Sequence, residues 1–169
     1  RWVYENILLK DLSSVSPCAE GFIPKDKDDI RNIVTNARRH ARSKWLINVD
    51  IQNFFDSIKY DSVWEYFSKL GYEKEVVDVL TKICTYQFRL PQGAPTSPML
   101  SNLIVRSMDD AFVELASKCK CFYSRYADDI TLSGNSDSIM PSIRDIYQIV
   151  YTHHFRPNKK KTKIGFSCD

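Results

Sequence analysis

No run of apolar residues in this sequence is long enough to span a bilayer. The first ten residues, RWVYENILLK, carry neither an apolar signal core nor a small-residue cleavage site. A membrane partner is therefore not expected, and the opening reads instead as the middle of a helix, as though cut from a longer protein. The five cysteines (Cys18, Cys84, Cys119, Cys121, Cys168) form no Cys-x-x-Cys. The three histidines (His40, His153, His154) are not spaced with them as zinc ligands. Reduced thiols in a reducing cytosol are the expectation. Internal repeats and low-complexity segments are also lacking. Charge of one sign is scarce, with 24 basic against 21 acidic residues and a net charge of +3. That balance permits a nucleic-acid partner without arguing for one.

What is present is a chain of 169 residues, 43% hydrophobic and 27% charged, suited to one domain or two small ones. The basic residues are clumped in NARRHARSK (36–44) and RPNKKKTK (156–163). A solvated helix face or tail accounts for either clump taken alone. A short helix fits 2–9, and a Pro- and Gly-punctuated loop fits 17–25. Helical spacing of Ile30, Ile33, Val34, Ala37 and Ala41 predicts a helix over 28–42, with Asp26, Asp28 and Asp29 before it and Arg38, Arg39 and Arg42 at its end. KWLINVD (44–50) reads as a buried strand. Helices follow at 61–70, closed by Gly71, and at 73–84. Ser97 and Pro98 suit the N-cap and first turn of a long helix with Leu100, Leu103, Ile104, Met108, Ala111, Phe112 and Leu115 on one face. A hairpin over CFYSRYADDITLS, a helix at 138–152 and a strand in TKIGF complete the order. The pattern is α+β, a small antiparallel sheet with helices on one face, interrupted by a helical insertion at 60–96.

Three acids stand out. Asp50 ends a strand, and Asp128 and Asp129 sit together in the hairpin. Asp–Asp in a hairpin is by itself an ordinary turn, since Asp tolerates the left-handed region and bonds its own backbone. If the strands are neighbours, however, Asp50 converges with Asp128, 78 residues further on, and with Asp129, and three such carboxylates cannot all stay ionised without cations. Oxygen ligands favour a hard ion such as Mg²⁺ together with substrate phosphates. A pair of such ions suits in-line phosphoryl displacement.

YADD (126–129) resembles motif C of reverse transcriptases, INVDIQNFFDSI (47–58) their motif A, LPQGAPTSPMLSN (90–102) motif B and FRPNKKKTKI (155–164) motif D, in family order. The likeness covers about residues 1–166. QGAPTSP and the Asn-Ala-x-x-His form of NARRH are most similar to bacterial retron reverse transcriptases. AEGF (19–22) departs from their usual AHGF by Glu20, and IPKDKDDIRN (23–32) is longer and more acidic than their form. The resemblance implies a right-hand polymerase palm with a partial, helical fingers region and no thumb. Its parts would be partial fingers and a fingers–palm helix at 1–44, palm with motif A at 45–59, a fingers insertion leading into motif B at 60–96, and palm at 97–169.

Position by position, the resemblance implies that Asp50, Asp128 and Asp129 hold two Mg²⁺ (Mn²⁺ as a substitute), with the Ile51 carbonyl as a further contact and Asp129 the weaker ligand. Phe55 matches the aromatic gate against a ribose 2′-hydroxyl, and Gln92, followed by Gly93, the contact to the nucleotide sugar. Tyr126 matches a position near the primer end, with a hairpin core aromatic as the alternative. Lys161 matches a proton donor or charge partner for pyrophosphate, while Lys159 and Lys160 fit an exposed run. Asn36 and His40 share a helix face and are either a core-edge pair or serve RNA binding or palm support. The implied activity is RNA-directed DNA polymerisation in the bacterial cytoplasm. Its implied partners are a structured noncoding RNA as template and primer, the RNA–DNA hybrid, dNTPs and a defence effector protein. Rival readings are a group II intron or abortive-infection reverse transcriptase and, from another class, a non-catalytic RNA-binding palm module.

Overall fold

The structure, a computed structural model, describes residues 1–25 and 31–167. The expectations that rest on Asp26, Asp28, Asp29, Ile30 and Cys168 lie outside the described residues. Along the chain run α1 (Trp2–Asn6), a 3₁₀ segment (Leu8–Ser14), α2 (Ile33–His40), β1 (Trp45–Asp50), α3 (Phe54–Ser57), α4 (Tyr60–Lys69) and α5 (Lys74–Cys84). They are followed by α6 (Ser97–Ile104), α7 (Arg106–Lys118), β2 (Phe122–Tyr126), β3 (Asp129–Gly134), α8 (Ile143–Thr152) and β4 (Lys163–Phe166). These elements form two compact units. One comprises residues 1–16 and 53–106, the other 17–52 and 107–169.

The first unit is helical. In α4, Val63 and Phe67 are buried, and Gly71 takes φ +85°, the left-handed turn that stops the helix where its position predicts. In α5 the buried stripe is Val77, Leu80, Thr81 and Cys84, whereas Val76 and Ile83 face solvent. The single long helix expected from Ser97 is two helices. Val105 leaves helical geometry at ψ 8°, so α6 ends there and α7 restarts. The cap is Thr96, one residue earlier than expected, which places Pro98 in the first turn. The 2–9 helix is likewise shorter, giving way to 3₁₀ geometry after Asn6.

The second unit is built on a four-stranded antiparallel sheet of order β2-β3-β1-β4. Side chains alternate across the strands, so β2 sends Tyr123 and Arg125 to one face and Phe122, Ser124 and Tyr126 to the other. On the first face Tyr123 stacks on Phe112 of α7 with ring centroids 5.0 Å apart, above buried Trp45, Ile47, Val49, Ile130 and Leu132.

Helix α2 binds the other face in a manner its apolar spacing did not predict. Ile33 and Val34 are 64% and 52% exposed, Ala37 and Ala41 are exposed, and the residue that α2 buries is His40. The helix begins at Asn32, whose side chain accepts from the Val34 and Thr35 amides while Thr35 answers the Asn32 amide, a capping box. The sheet face beneath it carries hydroxyls, and buried hydroxyls need partners. Ser124 Oγ donates to Asn36 Oδ1 at 2.6 Å, so it must accept from His40 Nε2 at 2.8 Å. Ser43 Oγ donates to Ser133 Oγ at 2.9 Å, and Ser133 Oγ in turn lies 2.7 Å from His40 Nδ1. His40 thus meets a sheet hydroxyl through each of its ring nitrogens. Asn36 and His40 thus clip α2 to β2 and β3.

Burial, and secondarily the charge of Arg39, lower the His40 pKa from its usual 6.5. The unfolded chain therefore binds a proton that the folded chain refuses. The stabilisation is complete above pH 6.5 and is lost as pH falls toward the folded value. The thermal midpoint of the full-length protein should drop over that window. His40→Gln should flatten the drop, and an unchanged slope in that variant would remove His40 as its cause.

Candidate active site

The register of the sheet brings the acids together. Asp50, the last residue of β1, lies directly opposite Asp129, the first residue of β3. Opposed residues in an antiparallel ladder have Cα atoms about 4.5–5.5 Å apart, so the two carboxylates emerge as neighbours on the face that also carries Tyr126. Asp128 sits in the turn between β2 and β3. Its carbonyl accepts from the Ile51 amide at 2.9 Å, which ties the turn to the end of β1. Ile51 is buried, and the adjacent Gln52 amide donates to the Arg156 carbonyl at 2.8 Å.

The Lys161 segment closes on the same point. The Asn158 amide donates to the Asp50 carbonyl at 2.7 Å, and the Lys161 and Thr162 amides both return to the Asn158 carbonyl. This turn delivers Lys161 Nζ to Asp50 Oδ1 at 2.7 Å. The hydrogen bond to Asp50, then its charge, raises the Lys161 pKa, so the ammonium stays charged across neutral pH. Asp129 opens to solvent, yet partial desolvation of its carboxyl, followed by the charges of Asp128 and Asp50, raises its pKa against an opposing pull from Lys161. The cluster carries more negative charge than one ammonium neutralises. Among the described residues no three His, Cys, Asp or Glu side chains close into a finished metal cage. Two or three open carboxylates that leave room for phosphate oxygens suit Mg²⁺, which rarely takes an all-protein cage. The donor set therefore fits the ion that the sequence implies.

Contacts that the sequence does not announce hold the turn. Ala127 adopts φ +56°, an unfavourable conformation for a side chain with a Cβ. Its carbonyl accepts from Arg125 Nη1 at 3.0 Å. Arg125 is 0% exposed and is gripped by Asp109 of α7 through two bonds of 2.7 Å, Nε to Oδ1 and Nη2 to Oδ2, while the Tyr123 hydroxyl donates to Asp109 Oδ1 at 2.6 Å. On the outer edge, residues 18–20 pair with Arg125 as a short parallel bridge, through Arg125 N to Cys18 O and Glu20 N to Arg125 O. Gly21 then passes so near the turn that an added Cβ would lie 2.8 Å from the Ala127 amide nitrogen. Glu20 is buried and pairs with Arg39 at 3.1 Å, so the departure from His has an Arg partner. The available signal was a charged pair, Asp109 and Arg125, at positions whose periodicity is otherwise apolar.

Phe55, Gln92 and Gly93 belong to the helical unit. Phe55 is half-buried on α3 and meets Phe54 edge-on at 5.4 Å, with Phe54 buried. Gln92 is exposed, and Gly93 has φ +89° with open space where a Cβ would stand. Ser97 Oγ donates to the Pro91 carbonyl at 2.6 Å and pins the loop that carries them.

Residues 3–167 match the family model described as reverse transcriptase (RNA-dependent DNA polymerase). The chain is 39% identical over 165 residues to the Retron Ec86 reverse transcriptase of Escherichia coli, covering 97% of this chain and 49% of that protein. It is 31% identical to the Retron Mx65 reverse transcriptase of Myxococcus xanthus, over 93% of this chain and 40% of the relative. The chain thus spans about half the length of these relatives or less. Among solved structures it resembles apo telomerase from Candida tropicalis truncated from its C-terminal domain, with a TM-score of 0.62 at 10% identity over 99% of this chain and 42% of that one. Telomerase from Candida albicans in complex with a fragment of telomeric RNA gives 0.57 at 14% identity, over 74% and 27%. At such identities these likenesses speak for the fold alone.

Proposed function

The chain belongs to the reverse transcriptase family, and from that membership we propose that the full-length protein is an RNA-directed DNA polymerase of the retron type. The observation that carries this reading is Asp50 facing Asp129 across the β1–β3 ladder, with Lys161 on Asp50. In the proposed reaction the 3′-hydroxyl of a primer, or a 2′-hydroxyl of RNA, attacks the α-phosphate of a dNTP. A new phosphoester forms, the bond to pyrophosphate breaks and its electron pair leaves with pyrophosphate, and the hydroxyl proton passes to solvent water. Asp50, Asp128, Asp129 and the Ile51 carbonyl would hold two divalent cations, Mg²⁺ or Mn²⁺, which when bound supply Lewis-acid activation of the nucleophile and charge neutralisation on the leaving group.

Lys161 keeps a proton at Nζ and can pass it to pyrophosphate once substrate phosphates compete for it with Asp50. Gln92 and Gly93 offer an exposed loop to the nucleotide sugar, Tyr126 the wall near the primer end, and Phe55 the barrier to a 2′-hydroxyl. We assign the sheet-bearing unit to the palm and the helical unit to the fingers. A structured noncoding RNA as template and primer, an RNA–DNA hybrid product and a role with a defence effector in the bacterial cytoplasm follow from the likeness to retron enzymes. No helix among the described residues is long and apolar enough to cross a membrane.

Primer extension by the full-length protein on an RNA template with Mg²⁺ tests the reaction. In that assay Phe55→Ala should raise the use of rNTPs relative to dNTPs on the order of 10- to 100-fold, the scale at which one steric clash discriminates substrates. Unchanged selectivity would assign Phe55 to packing against Phe54.

A further inference from the structure

The basic clump NARRHARSK is only partly used in holding α2 to the sheet. Its Asn and His face the sheet and Arg39 pairs with Glu20. Arg38 and Arg42 are exposed, and their guanidinium groups have no partner among the described residues. Both line a concavity of about 450 Å³ between the end of α2 and the far end of the β2–β3 hairpin. The opposite wall is Phe122, an aromatic ring 61% exposed at the first position of β2. Asn135, just past β3, completes it. Its Oδ1 accepts from the Lys44 amide, which leaves the side-chain NH₂ as a donor. Ser43 adds a hydroxyl oxygen at the rim.

A guanidinium pair with no partner among the described residues, beside an exposed aromatic ring, meets two requirements at once. The guanidinium forks match phosphate oxygens, and an exposed ring accepts the face of an unpaired base. Four cations (Arg38, Arg39, Arg42, Lys44) fall within seven residues, and the acid that answers one of them, Glu20, is buried, so the local field is positive although the whole chain is nearly neutral. The amide of Asn135 and the hydroxyl of Ser43 add groups able to meet a ribose 2′-hydroxyl. The hollow also stands apart from the acids. Phe122 and the Asp128 turn are at opposite ends of β2, and the four-residue rise from Phe122 to Tyr126 alone spans about 13 Å.

We propose that this hollow is a second nucleic-acid site, distinct from the polymerase centre, which holds a single-stranded segment of RNA with a phosphate between Arg38 and Arg42 and a base on Phe122. The contact fixes RNA at a point remote from the reacting end. It does not depend on the polymerase reading, because binding is measured without turnover.

The test uses the full-length protein and a 5′-fluorescein-labelled 20-nucleotide oligouridylate, followed by anisotropy across a salt series. Arg38→Gln/Arg42→Gln should lower the slope of log affinity against log salt by about 0.7, the value for one single-strand phosphate contact. Phe122→Ala should weaken binding roughly 5- to 150-fold, the range for one lost base stack, with little change in slope. Extension of a short primed template should remain at the wild-type level in both variants. A wild-type slope and affinity in the variants would overturn the proposal. So would equal binding of the matching DNA oligonucleotide, which would remove the assignment to RNA. A lowered melting midpoint with unchanged RNA binding would show that another part of the chain fills the hollow, and would also overturn it. Loss of wild-type extension with the salt effect intact would refute the polymerase reading and leave this site standing.

Discussion

Asp128→Asn in the full-length protein should reduce RNA-templated primer extension by about 10³-fold or more, the scale on which a group that stabilises transition-state charge acts, while leaving the melting midpoint at or above that of the wild type. The two halves of this expectation have separate causes. The Asp128 side chain is half-exposed, and the turn is held through main-chain atoms, by the Ile51 amide on the Asp128 carbonyl and Arg125 on the Ala127 carbonyl. An amide in place of the carboxylate disturbs neither bond. It also removes one of the negative charges that bear on Asp129, so repulsion falls and the fold loses nothing. Catalysis loses a ligand and a charge together. Extension at the wild-type rate would mean that Asp128 holds no ion. A collapse of the melting midpoint would mean that the carboxylate is structural. Parallel assays with Asp50→Asn carry less information, because that change also removes the charge that pairs with Lys161.

The three acids were legible in the sequence because their chemistry is local. A strand that ends in Asp and a hairpin that bears two more need only one pairing to meet, and the β1–β3 register supplies it. The sheet was legible for the same reason, since a short apolar run in KWLINVD and a hairpin over CFYSRYADDITLS mark its strands locally. The α2 helix was not. Its apolar spacing predicts Ile33, Val34, Ala37 and Ala41 inside, yet the surface it meets is a sheet face of serines. Buried hydroxyls impose a hydrogen-bonding demand that hydrophobic periodicity does not encode, so the polar Asn36–His40 edge turns inward. The supports of the turn were hidden in a similar way. Gly21 reads as loop punctuation, and the partnership of Asp109 with Arg125 shows only once the tertiary contacts place it beside Ala127. The break at Val105 leaves no mark that periodicity could detect.

Asp109→Asn should be among the most destabilising single substitutions in the sheet-bearing unit, costing about 3–5 kcal/mol, because it leaves the Arg125 guanidinium charged, dry and without its counter-ion. A domain is held together by about 5–15 kcal/mol, so this variant should show a steep fall in the melting midpoint of the full-length protein and, with it, lost activity. That result alone cannot separate folding from function, and a second variant does. Asp109→Leu/Arg125→Met/Tyr123→Phe removes both charges and the hydroxyl that Asp109 accepts, leaving no buried polar group of the triad unpaired. Replacing a buried ion pair by packed apolar groups is often neutral or stabilising, so the triple variant should regain most of the midpoint. Extension should nevertheless stay at least about 10-fold below wild type. The Ala127 carbonyl has lost its donor, the left-handed turn that carries Asp128 is free to relax, and displacement of a reacting group by about 1 Å can cost on the order of 10²-fold. Restoration of both stability and activity would reduce the clamp to a packing element. Restoration of stability alone assigns Arg125 as the residue that positions the catalytic turn.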